Sequence, residues 1–311
     1  MGARITDHCS GFAGAIAALL SAKQAHQSDE WISGIRMPLL MTPARVELNT
    51  NRNYRSMVRE LALTDFRLKY QGSIFGYLWS LMKPLAIFTV LYLVFSILVR
   101  IPGSDIAHYP VYLLLGIILW NYFAESTLSA MHSIVDKGDL IRKVYFPRSV
   151  ILLSNSISAL ITLMLNLLVI VVFMLIVHIY PSPLKILGFL ALMGELYLLS
   201  LGTSFFLAAL YVKFRDLAYI WEVALQLLFY ASAIIFPLSI VPRRYLRILT
   251  LSPITQVIQD ARKLIVSPAT ITTFDSVHSW LRFTPYMLPI LLVVLGYLHF
   301  EHAAGQFAED V

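Results

Sequence analysis

Long apolar stretches broken by short polar and basic ones make up most of this chain. Six of them stand out, roughly residues 78–99, 109–131, 149–179, 184–211, 217–238 and 284–302. About 20 apolar residues cross the hydrocarbon of a bilayer as a helix. A backbone in lipid must also satisfy its hydrogen bonds within its own segment, which favours helices over short alternating strands. The pattern therefore predicts an all-α membrane protein with six transmembrane helices. Ahead of the first span, Tyr54, Met57, Val58, Leu61 and Ala62 recur at helical spacing, with Arg52, Arg55, Arg59, Arg67 and Lys69 among the polar positions. That reads as an amphipathic interfacial helix over residues 51–77.

Between spans five and six, residues 237–283 are broken by Pro237, Pro242 and Pro253. Ser252-Pro253 suits an N-cap followed by the first helical position. Beyond it Ile254, Val257, Ile258, Ala261, Leu264 and Ile265 form one apolar stripe, opposite Gln256, Gln259, Asp260, Arg262 and Lys263. The expectation is an external segment of short re-entrant helices, one of them amphipathic and dipping into the outer leaflet. Residues 1–50 are weakly patterned, and the run Gly11–Leu20 is too short to span. It has some marks of a signal-peptide core, with Arg4 before it and Ser21-Ala22-Lys23 after it. Asp7 sits badly in such a segment, and the preferred reading is a cytoplasmic N-terminal extension ahead of a six-span domain over residues 78–311.

Composition agrees with the pattern: 58% of the 311 residues are hydrophobic and 14% charged, against about 25% charged in soluble domains. The net charge of +6 would suggest nucleic acid if it formed one patch. It is instead spread along the flanks of the spans. With the N-terminus cytoplasmic, the inner segments carry Arg52, Arg55, Arg59, Arg67, Lys69 and Lys83, then Lys137, Arg142, Lys143 and Arg148, then Lys213 and Arg215. The first two outer loops carry Arg100 and Lys185 alone, as the positive-inside rule requires. Arg243, Arg244, Arg247, Arg262, Lys263 and Arg282 break the rule on the outer side.

Cys9 is the single cysteine, so no internal disulfide or CxxC site exists. No HExxH motif or carboxylate cluster accompanies His178, His299 or His302, which read as interfacial residues and not as metal ligands. Glu125, Glu195 and Glu222 fall inside spans, where an ionisable group is costly and faces a bundle interior or water. Each is a candidate channel-lining or intersubunit contact, or a structural partner of a nearby hydroxyl. The chain has no internal repeat and no G-x-x-x-x-G-K-[ST] phosphate loop, so hydrolysis of ATP is not expected of it.

The order of residues in Asp65-Phe66-Arg67-Leu68-Lys69-Tyr70-Gln71-Gly72-Ser73-Ile74-Phe75-Gly76-Tyr77-Leu78-Trp79, closed by Lys83-Pro84, resembles the start of the permease subunits of polysaccharide-exporting ABC transporters. These ABC type-2 permeases serve O-antigen, teichoic acid, capsule and galactan export. Lys137-Gly138-Asp139-Leu140-Ile141-Arg142-Lys143-Val144-Tyr145-Phe146-Pro147-Arg148, Gly116-Ile117-Ile118-Leu119-Trp120 and Phe214-Arg215-Asp216-Leu217 extend the likeness over about residues 60–300. It departs from the family at Ser252-Pro253, where Asn-Pro is commoner, and in the long N-terminal extension.

The resemblance implies a homodimeric channel in the bacterial inner membrane, served by two separate ATPase subunits that hold ATP and Mg. This chain binds no cofactor or metal of its own and has no catalytic residue. The loop 132–148 would couple to the ATPase through Asp139, Leu140, Ile141, Arg142, Lys143, Phe146 and Pro147. A polyprenyl-pyrophosphate-linked glycan would enter beside Arg55, Arg59, Arg67 and Lys69. Sugar rings stack on aromatic faces, and the expected channel set is Tyr92, Phe95, Tyr112, Trp120, Tyr122, Phe123, Phe229 and Tyr230. Three rivals stand beside this reading: an ABC permease for a drug or small lipid, a polyprenyl-dependent membrane glycosyltransferase, and a proton-coupled carrier using Glu125 or Glu195.

Overall fold

A helix that is apolar on every side has no solvent face and must be surrounded by protein or lipid. Tyr109–Asp136 is surrounded by protein: all ten residues from Val111 to Trp120 are buried. Leu78–Tyr92, Ser149–Ile176 and Pro183–Lys213 pack against it in a computed structural model that describes residues 50–70, 75–76, 78–98, 108–143, 147–277 and 279–305. The extension expected over residues 1–50 lies, apart from Thr50, outside the described residues.

In chain order the helices are α1 (Thr50–Tyr70), α2 (Leu78–Tyr92, running into a π-helical turn Leu93–Leu98), α3 (Tyr109–Asp136), α4 (Gly138–Lys143), α5 (Ser149–Ile176), α6 (Pro183–Lys213) and α7 (Leu217–Ala231). They are followed by α8 (Arg243–Thr250), α9 (Pro253–Ile265), α10 (Thr273–Ser276) and α11 (Thr284–Ala304). No strand occurs among the described residues. Five helices are long and apolar enough to cross a membrane: α2 with its π turn, α3, α5, α6 and α11 with the preceding 3-10 turn.

The stretch expected to span over 217–238 departs from that pattern. Its helix, α7, is 15 residues long. Beyond it the chain turns at Ala233, whose φ of 50° lies in the left-handed region that costs an alanine about 1–2 kcal/mol. What holds that turn is described below.

Where α6 crosses α11 the two backbones almost touch. A Cβ on Gly202 would sit 2.6 Å from the backbone nitrogen of Val293, and one on Gly296 would sit 2.6 Å from the carbonyl oxygen of Gly202. Small residues allow such approach, and in lipid close van der Waals packing replaces the missing hydrophobic drive between helices. Ser200 on α6 donates a 2.6 Å hydrogen bond to Ser126 on α3, tying the pair to the central helix.

The segment between α7 and α11 corrects one expectation. Ser252 and Pro253 do stand at the N-cap and first position of α9, although the serine hydroxyl makes no capping bond. The apolar stripe Ile254, Val257, Ile258, Ala261 and Ile265 is buried, but so are Gln256, Gln259 and Arg262 on the supposed polar face. Both faces of α9 thus meet protein, so its polar side is not a solvent face. Its guanidinium and most of its amide atoms find partners in α3, α6 and the turn after α7, which offsets much of the cost of burying them.

Candidate functional site

Apolar spans that carry polar residues at helical spacing must aim those residues at one another or at water. On α3, Asn121, Glu125, Ser129, His132 and Asp136 recur at intervals of four, four, three and four. On α5, Asn155, Ser158, Thr162 and Asn166 recur at three, four and four. The two stripes line an open cavity of ≈ 800 Å³, bordered also by Asp65 and Lys69 of α1 and Trp79 and Lys83 of α2. Ser129 donates across it to the Asn155 Oδ1 at 2.8 Å.

Charge in the cavity is matched in number, Asp65, Glu125 and Asp136 standing against Lys69, Lys83 and Lys137. Glu125 accepts from Lys83 Nζ at 2.7 Å and from Lys69 Nζ at 3.3 Å, so one carboxylate answers two ammonium groups. All three side chains keep more than a third of their exposure, and such exposed pairs add at most about 1 kcal/mol each. Their effect is positional: they hold α1 and α2 against α3. Near the Asp136 end, Lys137 Nζ donates to Asp65 at 2.6 Å and Ser154 approaches the same oxygen at 3.5 Å.

This second ion pair is the less exposed one, and it fastens α1 to the junction of α3 and α4. Asp65→Asn is expected to loosen α1 by about 1–2 kcal/mol, seen as faster amide hydrogen exchange over residues 54–70. Reversing the pair with Asp65→Lys and Lys137→Asp together should recover part of that loss.

The expected entry residues Arg55, Arg59, Arg67 and Lys69 are all exposed on α1, while Val58 and Ala62 on another face are buried. Of these four, Lys69 alone reaches the cavity. The coupling segment contains the helix α4, in which Asp139 is exposed and Ile141 packs against a core formed by Ile134, Ile151, Leu152 and Phe205. Pro147 is exposed. The side chains of Leu140, Arg142 and Lys143, and the whole of Phe146, lie outside the described residues.

Half of the expected aromatic set is buried within the protomer. Tyr112, Trp120, Tyr122 and Phe123 sit within the core of the protomer at 6% exposure or less, because α3 is enclosed on all sides. Trp120 packs edge-on to Phe229, and Phe88, Tyr92, Tyr109 and Tyr112 follow one another at ring spacings of 5.7, 6.4 and 6.2 Å. Tyr92, Phe95 and Phe229 are half-buried and Tyr230 is exposed.

The remaining sequence candidates fall in different places. Glu222 is exposed on α7. Glu195 accepts a long 3.4 Å bond from Gln256, which also donates to Asp260 at 2.9 Å. The second oxygen of Glu195 is buried without a partner. His178 adjoins Tyr180, and His299 stacks on Phe206 at 5.6 Å.

Arg262 was missed as a site residue and appeared only as a cation on the wrong side. It is 0% exposed. Its guanidinium donates to the carbonyls of Tyr112 (3.0 Å), Ala233 (3.0 Å) and Ile234 (2.6 Å), and lies 3.7 Å over the Tyr112 ring. This clamp holds the left-handed turn after α7 and joins α9 to α3. Gly116 leaves the room for it: a Cβ there would fall 2.3 Å from an Arg262 nitrogen. Arg262 is therefore closed off from solvent and is no loop charge of the kind the positive-inside rule counts.

Comparison with known proteins places this geometry in a family. The chain is 29% identical over 246 residues to the O-antigen export system permease protein RfbA of Klebsiella pneumoniae, covering 79% of this chain and 91% of that protein. A permease of the same description from Myxococcus xanthus is 29% identical over 64% of this chain and 75% of its own length. The polysialic acid transport protein KpsM of Escherichia coli is 26% identical over 67% and 81%. The family model described as ABC-2 type transporter matches residues 58–266, from the middle of α1 through the end of the Arg262 clamp, and the chain belongs to that family.

Proposed function

We propose that two copies of this chain form the membrane channel of an inner-membrane exporter that passes a polyprenyl-pyrophosphate-linked polysaccharide, driven by two separate ATP-hydrolysing subunits. The observation that carries the reading is the likeness, over most of the chain, to permeases named for O-antigen export and polysialic acid transport. The rivals have less support. A glycosyltransferase would want paired acids in a sizeable loop for metal or base chemistry, and the acids of the segment 237–283, Asp260 and Asp275, are occupied by Gln256, Tyr286 and Lys263.

In this reading α7 is a sixth span. Its 15 residues cover about 22 Å, and the turn held by Arg262 carries the chain the rest of the way. An even number of spans puts both ends in the cytoplasm, with α1 lying along the inner leaflet. There each exposed cation is drawn to anionic headgroups by about 1 kcal/mol, and Arg55, Arg59 and Arg67 gather the pyrophosphate of the substrate. The glycan threads between protomers past Tyr92, Phe95, Phe229 and Tyr230. Stroke follows stroke as ATP binding moves the subunits docked on α4, and the close α6–α11 crossing passes that movement on as a rigid unit.

Replacing residues 139–146 with a Gly-Ser loop is expected to abolish export and co-purification of the ATPase subunit while leaving the chain in the membrane. Export at the unaltered rate, or a purified complex with no nucleotide-binding subunit, would refute the assignment.

A further inference from the structure

Between α7 and α11 lies a basic helix, α8, whose cations form no ion pair among the described residues. Residues 237–283 hold six cations and two carboxylates, Asp260 and Asp275. Arg262 is enclosed, Lys263 pairs with Asp275 at 2.6 Å, and Asp260 is occupied by Gln256 and Tyr286. Arg243, Arg244 and Arg247 of α8 are left over and all three are exposed. At about 100° per residue they share one arc of about 100° on the helix. Ile248 and Tyr245 occupy the next arc, of about 60°, and Ile248 is 70% exposed. Leu246, Leu249 and the buried Thr250 take the remaining side, which meets the protein. There α10 packs against α8, and Thr273 donates to the Thr250 carbonyl at 2.9 Å.

Eight residues cover only about 12 Å, so the apolar arc is not the flank of a membrane-crossing helix. A helix with one side on protein, one cationic and one apolar fits the boundary between headgroups and acyl chains. Its neighbours fit the same level. Phe274 of α10 packs edge-on to Phe283 at 5.9 Å, the Arg282 guanidinium lies 5.4 Å from the Phe274 ring, and Trp280 is 77% exposed where the last span begins. Tryptophan gathers at that depth of a bilayer.

We propose that α8 lies in the membrane surface and binds anionic glycerophospholipid there, Ile248 and Tyr245 entering the acyl-chain boundary and the three guanidinium groups taking headgroup phosphates. Guanidinium offers phosphate paired N–H donors, and Arg244, at the edge of the cationic arc, already lies 4.4 Å over the Tyr245 ring. A second copy is the poorer occupant: in a two-fold contact each patch meets itself, which would set three arginines against three. Water is poorer as well, because it would leave Ile248 bare. The inference goes beyond the export reading and does not use it, since it needs only the multi-pass fold; in the six-span arrangement the leaflet is the outer one.

The test uses the full-length chain with Cys9→Ser and Ile248→Cys, an environment-sensitive fluorophore on the new thiol, in phosphatidylcholine nanodiscs. Graded fractions of doxyl-labelled phosphatidylglycerol and, separately, of doxyl-labelled phosphatidylcholine quench it. Half-maximal quenching should need at least about fivefold less phosphatidylglycerol, the effect of one cation at a membrane surface. Arg243→Gln, Arg244→Gln and Arg247→Gln together should bring the two lipids within about twofold of each other, whereas the three lysine substitutions should keep most of the preference. Thermal unfolding shows that both triple variants are folded. Equal quenching by the two lipids in the chain with its arginines, a preference that survives the glutamines, or iodide quenching as strong as at Asp139→Cys on the exposed side of α4 would each overturn the proposal. So would disulfide cross-linking of two protomers through Ile248→Cys, which would give this face to a second copy.

Discussion

Arg262→Leu should destabilise the protein by about 3–5 kcal/mol, the range seen when one partner of a buried charged arrangement is removed. Three carbonyl oxygens, those of Tyr112, Ala233 and Ile234, lose the guanidinium at once, and that of Ala233 keeps only a long 3.4 Å bond from Gln259. The turn at the left-handed Ala233 then keeps only the Gln259 bond to its own carbonyl and the Tyr109 bond to that of Ile235. Arg262→Lys is expected to rescue little, because a single ammonium cannot replace a planar fork that reaches three oxygens and lies flat on a ring. Gly116→Ala should also be costly in the native protein, since the new methyl occupies the place of the guanidinium. In the Arg262→Leu background the same change should cost less, giving a non-additive cycle of more than about 0.5 kcal/mol. Thermal unfolding of the four proteins in detergent measures it, and strict additivity would show that Gly116 and Arg262 do not act as a unit.

The second large effect is expected at the α6–α11 crossing. Gly296→Leu places a branched side chain where Gly202 oxygen would lie 2.6 Å from its Cβ, and Gly202→Leu meets the backbone of Leu292 and Val293 in the same way. A flexible side chain could swing aside, but a backbone atom in a helix cannot. Either change should therefore exceed the about 1–3 kcal/mol usual for overpacking, and should separate α11 from α6. The readout is loss of membrane-inserted, monodisperse protein, with rising cysteine accessibility at Leu292→Cys introduced into the Gly202→Leu protein. By contrast Gly194, on the same helix with nothing within 4 Å of its added Cβ, should accept alanine with little change.

Reading the chain by periodicity located these helices but could not see how they meet. Gly202 and Gly296 are 94 positions apart, and nothing in the linear order says that their bare backbones face each other. The stripes Asn121 to Asp136 and Asn155 to Asn166 were present as helical repeats of polar residues within apolar spans, a signal that marks a shared polar cavity when both stripes are counted. Glu125 was legible as an ionisable group in a span, yet its partners Lys69 and Lys83 lie 56 and 42 residues away. The burial of half the aromatic set was out of reach for a related reason: ring chemistry is visible in sequence, whereas the enclosure of α3 by its neighbours is not.

Apolar length and basic flanks were enough to determine that the chain is helical and crosses a membrane several times, because the cost of unpaired backbone in hydrocarbon acts on each segment independently. Residue order around Asp65–Pro84 and Lys137–Arg148 pointed to the family. Only the tertiary structure decided that α9 is enclosed by protein, that α7 stops at Ala231, and that Arg262 is the reason for both. A buried guanidinium is stable solely where distant carbonyls converge on it, and that convergence belongs to the packed bundle as a whole.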